Sequence, residues 1–219
     1  MSHISMRQAP TSLLERLIAS ADNALRTVAS HAPEPARPSP AGDTRDPNLS
    51  DAERTLAANL MRVNDAGEVA AQGLYQGHAL VARDAKILEK LHHAAEEEFD
   101  HLAWCRGRLR ELDARPSLLN PAWYAGAYVI GALSGIAGDK WGLGFIDETE
   151  RQVVEHLQDH LERLPARDQR SRDILGTMRA EEAEHGKDAR DAGAAQLPTP
   201  VKAAMRAVSG VMKAGAFRL

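Results

Sequence analysis

Glu98-Phe99-Asp100-His101 and Glu182-Ala183-Glu184-His185 are the two stretches on which the fold turns. Residues three apart on a helix share a face, so each Glu-x-x-His directs a carboxylate and an imidazole at one point. Each pair trails a lone glutamate by a similar distance: Glu68 precedes Glu98 by 30 residues, and Glu150 precedes Glu182 by 32. One unit, Glu … Glu-x-x-His, therefore occurs twice in register. Four carboxylates and two imidazoles carried on four helices are what a carboxylate-bridged di-metal site needs.

The surrounding residues agree. Ile87, Leu91, Ala94, Leu102, Cys105, Leu109 and Leu112 form an apolar helical stripe interrupted by Glu98 and His101. Ile174, Leu175, Met178 and Ala189 do the same around Glu182 and His185, and Ile146, Val153, Leu157, Leu161 and Leu164 around Glu150. The stripe of Glu68 is less clean, with Met61, Ala71 and Tyr75 on its face and Asn64 and Asp65 beside it. A glutamate on a core face is costly unless its charge is met, and metal cations meet it. A single Glu-x-x-His means little in a chain with 31 acidic residues and 9 histidines, and Glu89 to His92 is a third one without an upstream partner. The matched offsets and the core-facing positions set the other two apart. Glu96, Glu97, Glu181 and Glu184 read as a solvated face, and His160 as a partly exposed helix histidine near the Glu150 stripe.

The 219 residues are enough for one good-sized core. Aromatics are only 4 %, alanine, leucine and arginine recur, and alternating β-branched runs are absent, which favours an all-α protein. A net charge of −4 gives no sign of nucleic-acid binding. The single cysteine, Cys105, excludes an intramolecular disulfide framework and reads as a small core residue. No signal-peptide-like apolar segment opens the chain, so a cytosolic site, or the cytosolic face of a membrane, is expected.

Along the chain, residues 11–31 read as a separate amphipathic helix with a capping box at Ser12 and Glu15 and an apolar side of Leu14, Leu17, Ile18, Ala21, Leu25 and Val28. Ala32 to Pro47 carries five of the eleven prolines, a composition that argues against packed structure. Residues 1–48 are thus expected to be an N-terminal helix and linker, and 49–219 the main domain. Four bundle helices are expected at about 51–82, 84–113, 144–164 and 168–194. The chain would fold back at Arg83-Asp84 and again within Leu164-Pro165-Ala166-Arg167-Asp168, where proline ends a helix. A long crossover, 114–143, joins the two hairpins. It has no charged residue from Pro116 to Gly138. That length nominally spans a bilayer, which takes ~20 residues, but the metal site needs both hairpins on one side. The crossover is therefore expected at a membrane interface or as the wall of an apolar pocket. Residues 198–219 form a C-terminal helix with Lys202, Arg206, Lys213 and Arg218 and no acid from 201 onward, a pattern that suits an anionic membrane surface.

At Asn64-Asp65-Ala66-Gly67-Glu68, Glu98-Phe99-Asp100-His101-Leu102, Glu150 and Glu182-Ala183-Glu184-His185-Gly186 the chain resembles the demethoxyubiquinone hydroxylases of ubiquinone biosynthesis, over residues 50–219. The resemblance implies a ferritin-like four-helix bundle and a non-haem di-iron centre. Its metal ligands fall on Glu68, Glu98, His101, Glu150, Glu182 and His185, with no catalytic residue beyond them. It further implies insertion of one oxygen atom from O2 into the ring of a prenylated demethoxy-ubiquinol, at the cytoplasmic face of the cell membrane, as a peripheral protein. Two Fe ions are the expected cofactor, with NADH a candidate electron donor and a homo-oligomer or a ubiquinone-biosynthesis complex as the assembly. Hard carboxylates and imidazoles suit iron better than structural zinc. Three other readings compete. Iron oxidation or peroxide reduction of the ferritin or rubrerythrin type would share the ligands but lack the uncharged crossover and basic tail. A non-catalytic helical scaffold would bind no stoichiometric iron. A di-iron hydroxylase acting on tRNA needs a basic groove that the charge balance does not advertise.

Overall fold

The computed structural model describes residues 12–28, 34–45 and 48–219. Among them are seven helices and no strand: α1 (Leu13–Val28), α2 (Asp51–Val81), α3 (Ala85–Glu111), α4 (Asn120–Ala137), α5 (Asp139–Arg163), α6 (Gln169–Asp191) and α7 (Thr199–Ala216). The two hairpins α2–α3 and α5–α6 make the four-helix bundle, and α4 is the crossover between them.

Local chemistry sets the boundaries. Ser50 and Glu53 form a reciprocal capping box at the start of α2. The turn into α3 lacks glycine and proline, but Asp84 caps α3 by accepting from Lys86 N, and Asp139 accepts from Arg83 N and Asp84 N. Asp168 caps α6 after the Pro165 break by accepting from Ser171 N. Helix α5 begins at Asp139, earlier than the expected 144, because one residue makes the corner: Gly138 has φ +133° and joins α4 directly to α5.

Helix α4 packs on α2 at very close range. A Cβ at Gly77 would collide with the carbonyl oxygen of Tyr128, and one at Gly131 with that of Leu74. The opposite face of α4 leaves Val129, Ile130, Leu133 and Ile136 exposed. No helix of the described residues is long and apolar enough to cross a membrane. Cys105 is fully buried beside Met178.

One N-terminal expectation changes, and the facing of α1 is decided by the fold. Helix α1 keeps its capping box, yet it turns its polar side inward. Ser20, Asn23 and Thr27 are buried, whereas Leu13, Leu14, Leu17, Ile18 and Leu25 are exposed. Asn23 donates to Gln72 of α2 and accepts from Tyr124 of α4, which holds the helix by hydrogen bonds. The proline-rich stretch, expected to lack packed structure, lies on the bundle over 34–45: Ala41 is in the core, and Arg37 binds Asp100 and Glu181. Proline content lowers the entropy lost on ordering, so a few strong contacts suffice to hold such a segment.

Candidate metal centre

All six predicted ligands are buried in the middle of the bundle, between 0 % and 9 % exposed. Glu68 comes from α2, Glu98 and His101 from α3, Glu150 from α5, Glu182 and His185 from α6. Donor atoms of Glu68, Glu98, His101 and Glu182 lie within 4.8 Å of one another. His101 Nδ1 is 2.9 Å from Glu98 Oε2, 3.1 Å from Glu182 Oε1 and 3.8 Å from Glu68 Oε2. His185 Nδ1 is 3.1 Å from Glu98 Oε1 and 3.5 Å from Glu182 Oε2. Glu98 and Glu182 thus stand between the two imidazoles, while Glu68 and Glu150 flank them. Tyr75, buried on α2, donates a 2.8 Å hydrogen bond to Glu150 Oε1.

The electrostatics are those of a crowded acidic cavity. Burial drives the Glu68 and Glu150 carboxyls well above the usual range, and the neighbouring Glu98 and Glu182 charges add to it. For Glu98, burial pushes up but His101 and His185 more than offset it, so its carboxyl is held low. Burial opposes a charge on His101, yet the surrounding carboxylates keep its ring protonated well above the ordinary range. Glu98 Oε1, Glu150 Oε2, Glu182 Oε2 and His185 Nδ1 are buried with no properly directed hydrogen bond, although the Glu98–His185 distance is short. Orphaned buried acceptors aimed at one another fit a site whose partners are cations. Two divalent ions would balance four carboxylates, and both imidazoles present Nδ1 to the same cavity. The donor set therefore fits a pair of hard or borderline metal ions.

Two residues assigned to a solvated face prove otherwise. Glu181 Oε2 lies 2.7 Å from His101 Nε2, and Glu97 Oε2 lies 3.0 Å from His185 Nε2. Each carboxylate immediately precedes one Glu-x-x-His and holds the histidine of the other. The repeat itself contained this signal, since Glu97 and Glu181 are separated by the same 84 residues as His101 and His185. Such partners fix the tautomer and orientation of a metal-binding imidazole. Glu96 and Glu184 are exposed, as expected. His160 is buried rather than partly exposed, because its Nδ1 pairs at 2.8 Å with Asn64 Oδ1. Its ring packs against that of His156, also buried.

A family model described as Ubiquinone biosynthesis protein COQ7 matches residues 55–216. Proteins named 3-demethoxyubiquinol 3-hydroxylase are close relatives. That of Xanthomonas oryzae pv. oryzae (strain PXO99A) is 57 % identical over 206 residues, covering 94 % of each chain. That of Polynucleobacter asymbioticus is 52 % identical over 209 residues, covering 95 % of this chain and 100 % of the relative. Among solved structures, a dodecameric thioferritin from Bacteroides fragilis matches with a TM-score of 0.50 at 22 % identity, over 64 % of this chain and 84 % of that one. That likeness shows the fold, which is ferritin-like. With a matching family model over most of its bundle and relatives above half identity along nearly its whole length, this chain belongs to the COQ7 family of ubiquinone biosynthesis proteins.

Proposed function

We propose that this protein is a 3-demethoxyubiquinol 3-hydroxylase, an O2-dependent monooxygenase that uses two iron ions. The observation that carries this reading is the buried meeting of Glu98 and Glu182 with both His101 and His185, in a chain whose relatives bear that enzyme name. Glu98 and Glu182, each of which faces both imidazoles, would hold the two ions together with Glu68, Glu150, His101 and His185. When bound, two iron ions would supply the redox chemistry for a reaction in which one oxygen atom of O2 enters the quinol ring and the other leaves as water. The two electrons this needs come from an external donor, with NADH the candidate.

The protein's share is placement and exclusion of water. Tyr75 holds Glu150 through its hydroxyl. Glu181 and Glu97 hold the outer nitrogens of the two histidines. Residues 49–219 form the catalytic unit, with 1–48 as an appendage. A prenyl tail is too apolar to be delivered through water, and the outward apolar faces of α1 and α4 beside the basic α7 suit peripheral contact with the cytoplasmic face of the cell membrane. No observation here favours the iron-storage, scaffold or tRNA readings.

Iron-loaded protein, a reduced demethoxyubiquinone analogue, an electron donor and labelled O2, mixed in detergent, test the proposal by mass spectrometry of the recovered quinone. One labelled oxygen on the ring is the expected result. No gain of oxygen while two irons are bound and oxidised would overturn the hydroxylase assignment and leave the metal centre standing.

A further inference from the structure

The proline-rich segment ends up on the metal centre through one side chain. Arg37 Nε lies 2.6 Å from Asp100 Oδ2 on α3. Its other two nitrogens grip Glu181 on α6 as a fork, at 2.7 Å to Oε1 and 3.0 Å to Oε2. That same Oε2 is the partner of His101 Nε2 at 2.7 Å. The segment's backbone is tied down as well. Ala36 N and Arg37 N donate to Asp100 Oδ1, at 2.7 Å and 3.3 Å, and Trp104 Nε1 donates to the Arg37 carbonyl at 3.3 Å. The guanidinium lies 5.0 Å from the Trp104 ring, which in turn packs 5.4 Å from the His101 ring.

The other half of the centre is built differently. Glu97, which holds His185, is met by His93 at 3.4 Å, one turn back on its own helix and 74 % exposed. His101 is 0 % exposed and His185 is 9 % exposed. The pseudo-symmetric repeat thus places two equivalent carboxylates, and a segment outside the repeat immobilises one of them.

We propose that Arg37 is a positioning residue for the metal ion held by His101, acting through Glu181, and that the two metal positions are consequently inequivalent. This rests on the reading of the cluster as a di-iron centre. A glutamate side chain is flexible, and a planar fork that takes both of its oxygens removes that freedom more completely than a point charge does. Loss of an outer-sphere partner of a metal-binding histidine commonly costs 10–100-fold in metal affinity.

Anaerobic titration of the full-length protein with Fe(II) against a competing chelator, together with ferrous circular dichroism in the near infrared, tests this. Wild type is expected to take two equivalents. Arg37→Ala is expected to weaken one of them by roughly tenfold or more and to alter one set of ligand-field bands, leaving the second equivalent unchanged. Arg37→Lys should give an intermediate loss at the same equivalent, which keeps the test available if the alanine variant folds poorly. Glu97→Ala should weaken the other equivalent. Unchanged affinities and bands in folded Arg37→Ala and Arg37→Lys, with or without lower thermal stability, would overturn the positioning role. Equal weakening of both equivalents would overturn the inequivalence. Failure of wild type to bind two irons would instead overturn the di-iron reading, which is a separate result.

Discussion

Glu97 on α3 and His185 on α6 meet at 3.0 Å across the bundle, so each half of the sequence repeat completes the other's histidine. Glu181 and His101 make the reciprocal pair at 2.7 Å. Removing one such carboxylate frees an imidazole without touching any direct ligand. Glu97→Ala is expected to lower affinity for one iron by about 10–100-fold while far-UV circular dichroism stays as in wild type. Competition with a chelator measures the first and a spectrum the second.

Glu182 faces both imidazoles, at 3.1 Å from His101 Nδ1 and 3.5 Å from His185 Nδ1. On the proposed ligand set, Glu182→Ala removes the carboxylate that faces both positions. The variant is expected to hold at most one iron per chain and to lose hydroxylation. Iron content by elemental analysis decides it, and two irons with full activity would sink the ligand assignment.

Gly77 touches α4 backbone to backbone, with Tyr128 and Ala132 where a side chain would start. Neither partner is a flexible side-chain tip, so a methyl group must push the helices apart. Gly77→Ala should destabilise the fold by about 1–3 kcal/mol or more, read as a lower urea midpoint at constant m. Gly107→Ala meets nothing within 4 Å and is the control.

His156 and His160 give the fold a pH dependence. Burial, reinforced by Lys213 for His156 and by the His156–His160 pair itself for His160, holds the two rings down at about 4 and about 3. Both are neutral in the folded state near pH 5, whereas an unfolded histidine titrates near ~6.5. The unfolded chain therefore gains protons first. Stability is fully present above that value and falls as pH drops toward 4 and 3, by up to about 1.4 kcal/mol per pH unit for each histidine. Denaturant melts of metal-free wild type and His160→Gln at pH 7 and pH 5, compared with each other so that the opposite contribution of the raised Glu68 and Glu150 carboxyls cancels, measure the loss. It should shrink in His160→Gln, whose amide can still reach Asn64; an unchanged loss would contradict the burial account.

Much was legible in the chain alone. That Glu68, Glu98, His101, Glu150, Glu182 and His185 lie buried together in the bundle was legible from spacing, because helical periodicity converts sequence offsets of three into a shared face. The bundle helices, the Ser50 cap and the burial of Cys105 followed from the same periodicity and from local hydrogen-bond chemistry. The exposed apolar side of α1 could not be read this way, since amphipathicity reports two faces without saying which one a neighbour's polar groups will bind. Asn23 meets Gln72 and Tyr124 across 49 and 101 residues of chain. Arg37 likewise finds Glu181 across 144 residues. Composition marked its surroundings as a linker because composition is additive along the chain. A fork of charge-assisted hydrogen bonds depends instead on where the folded helices bring their carboxylates. The sequence by itself determined which six side chains meet in the buried cluster, because helical spacing fixes a shared face; tertiary packing decided which outer carboxylates hold its histidines and which of those is anchored.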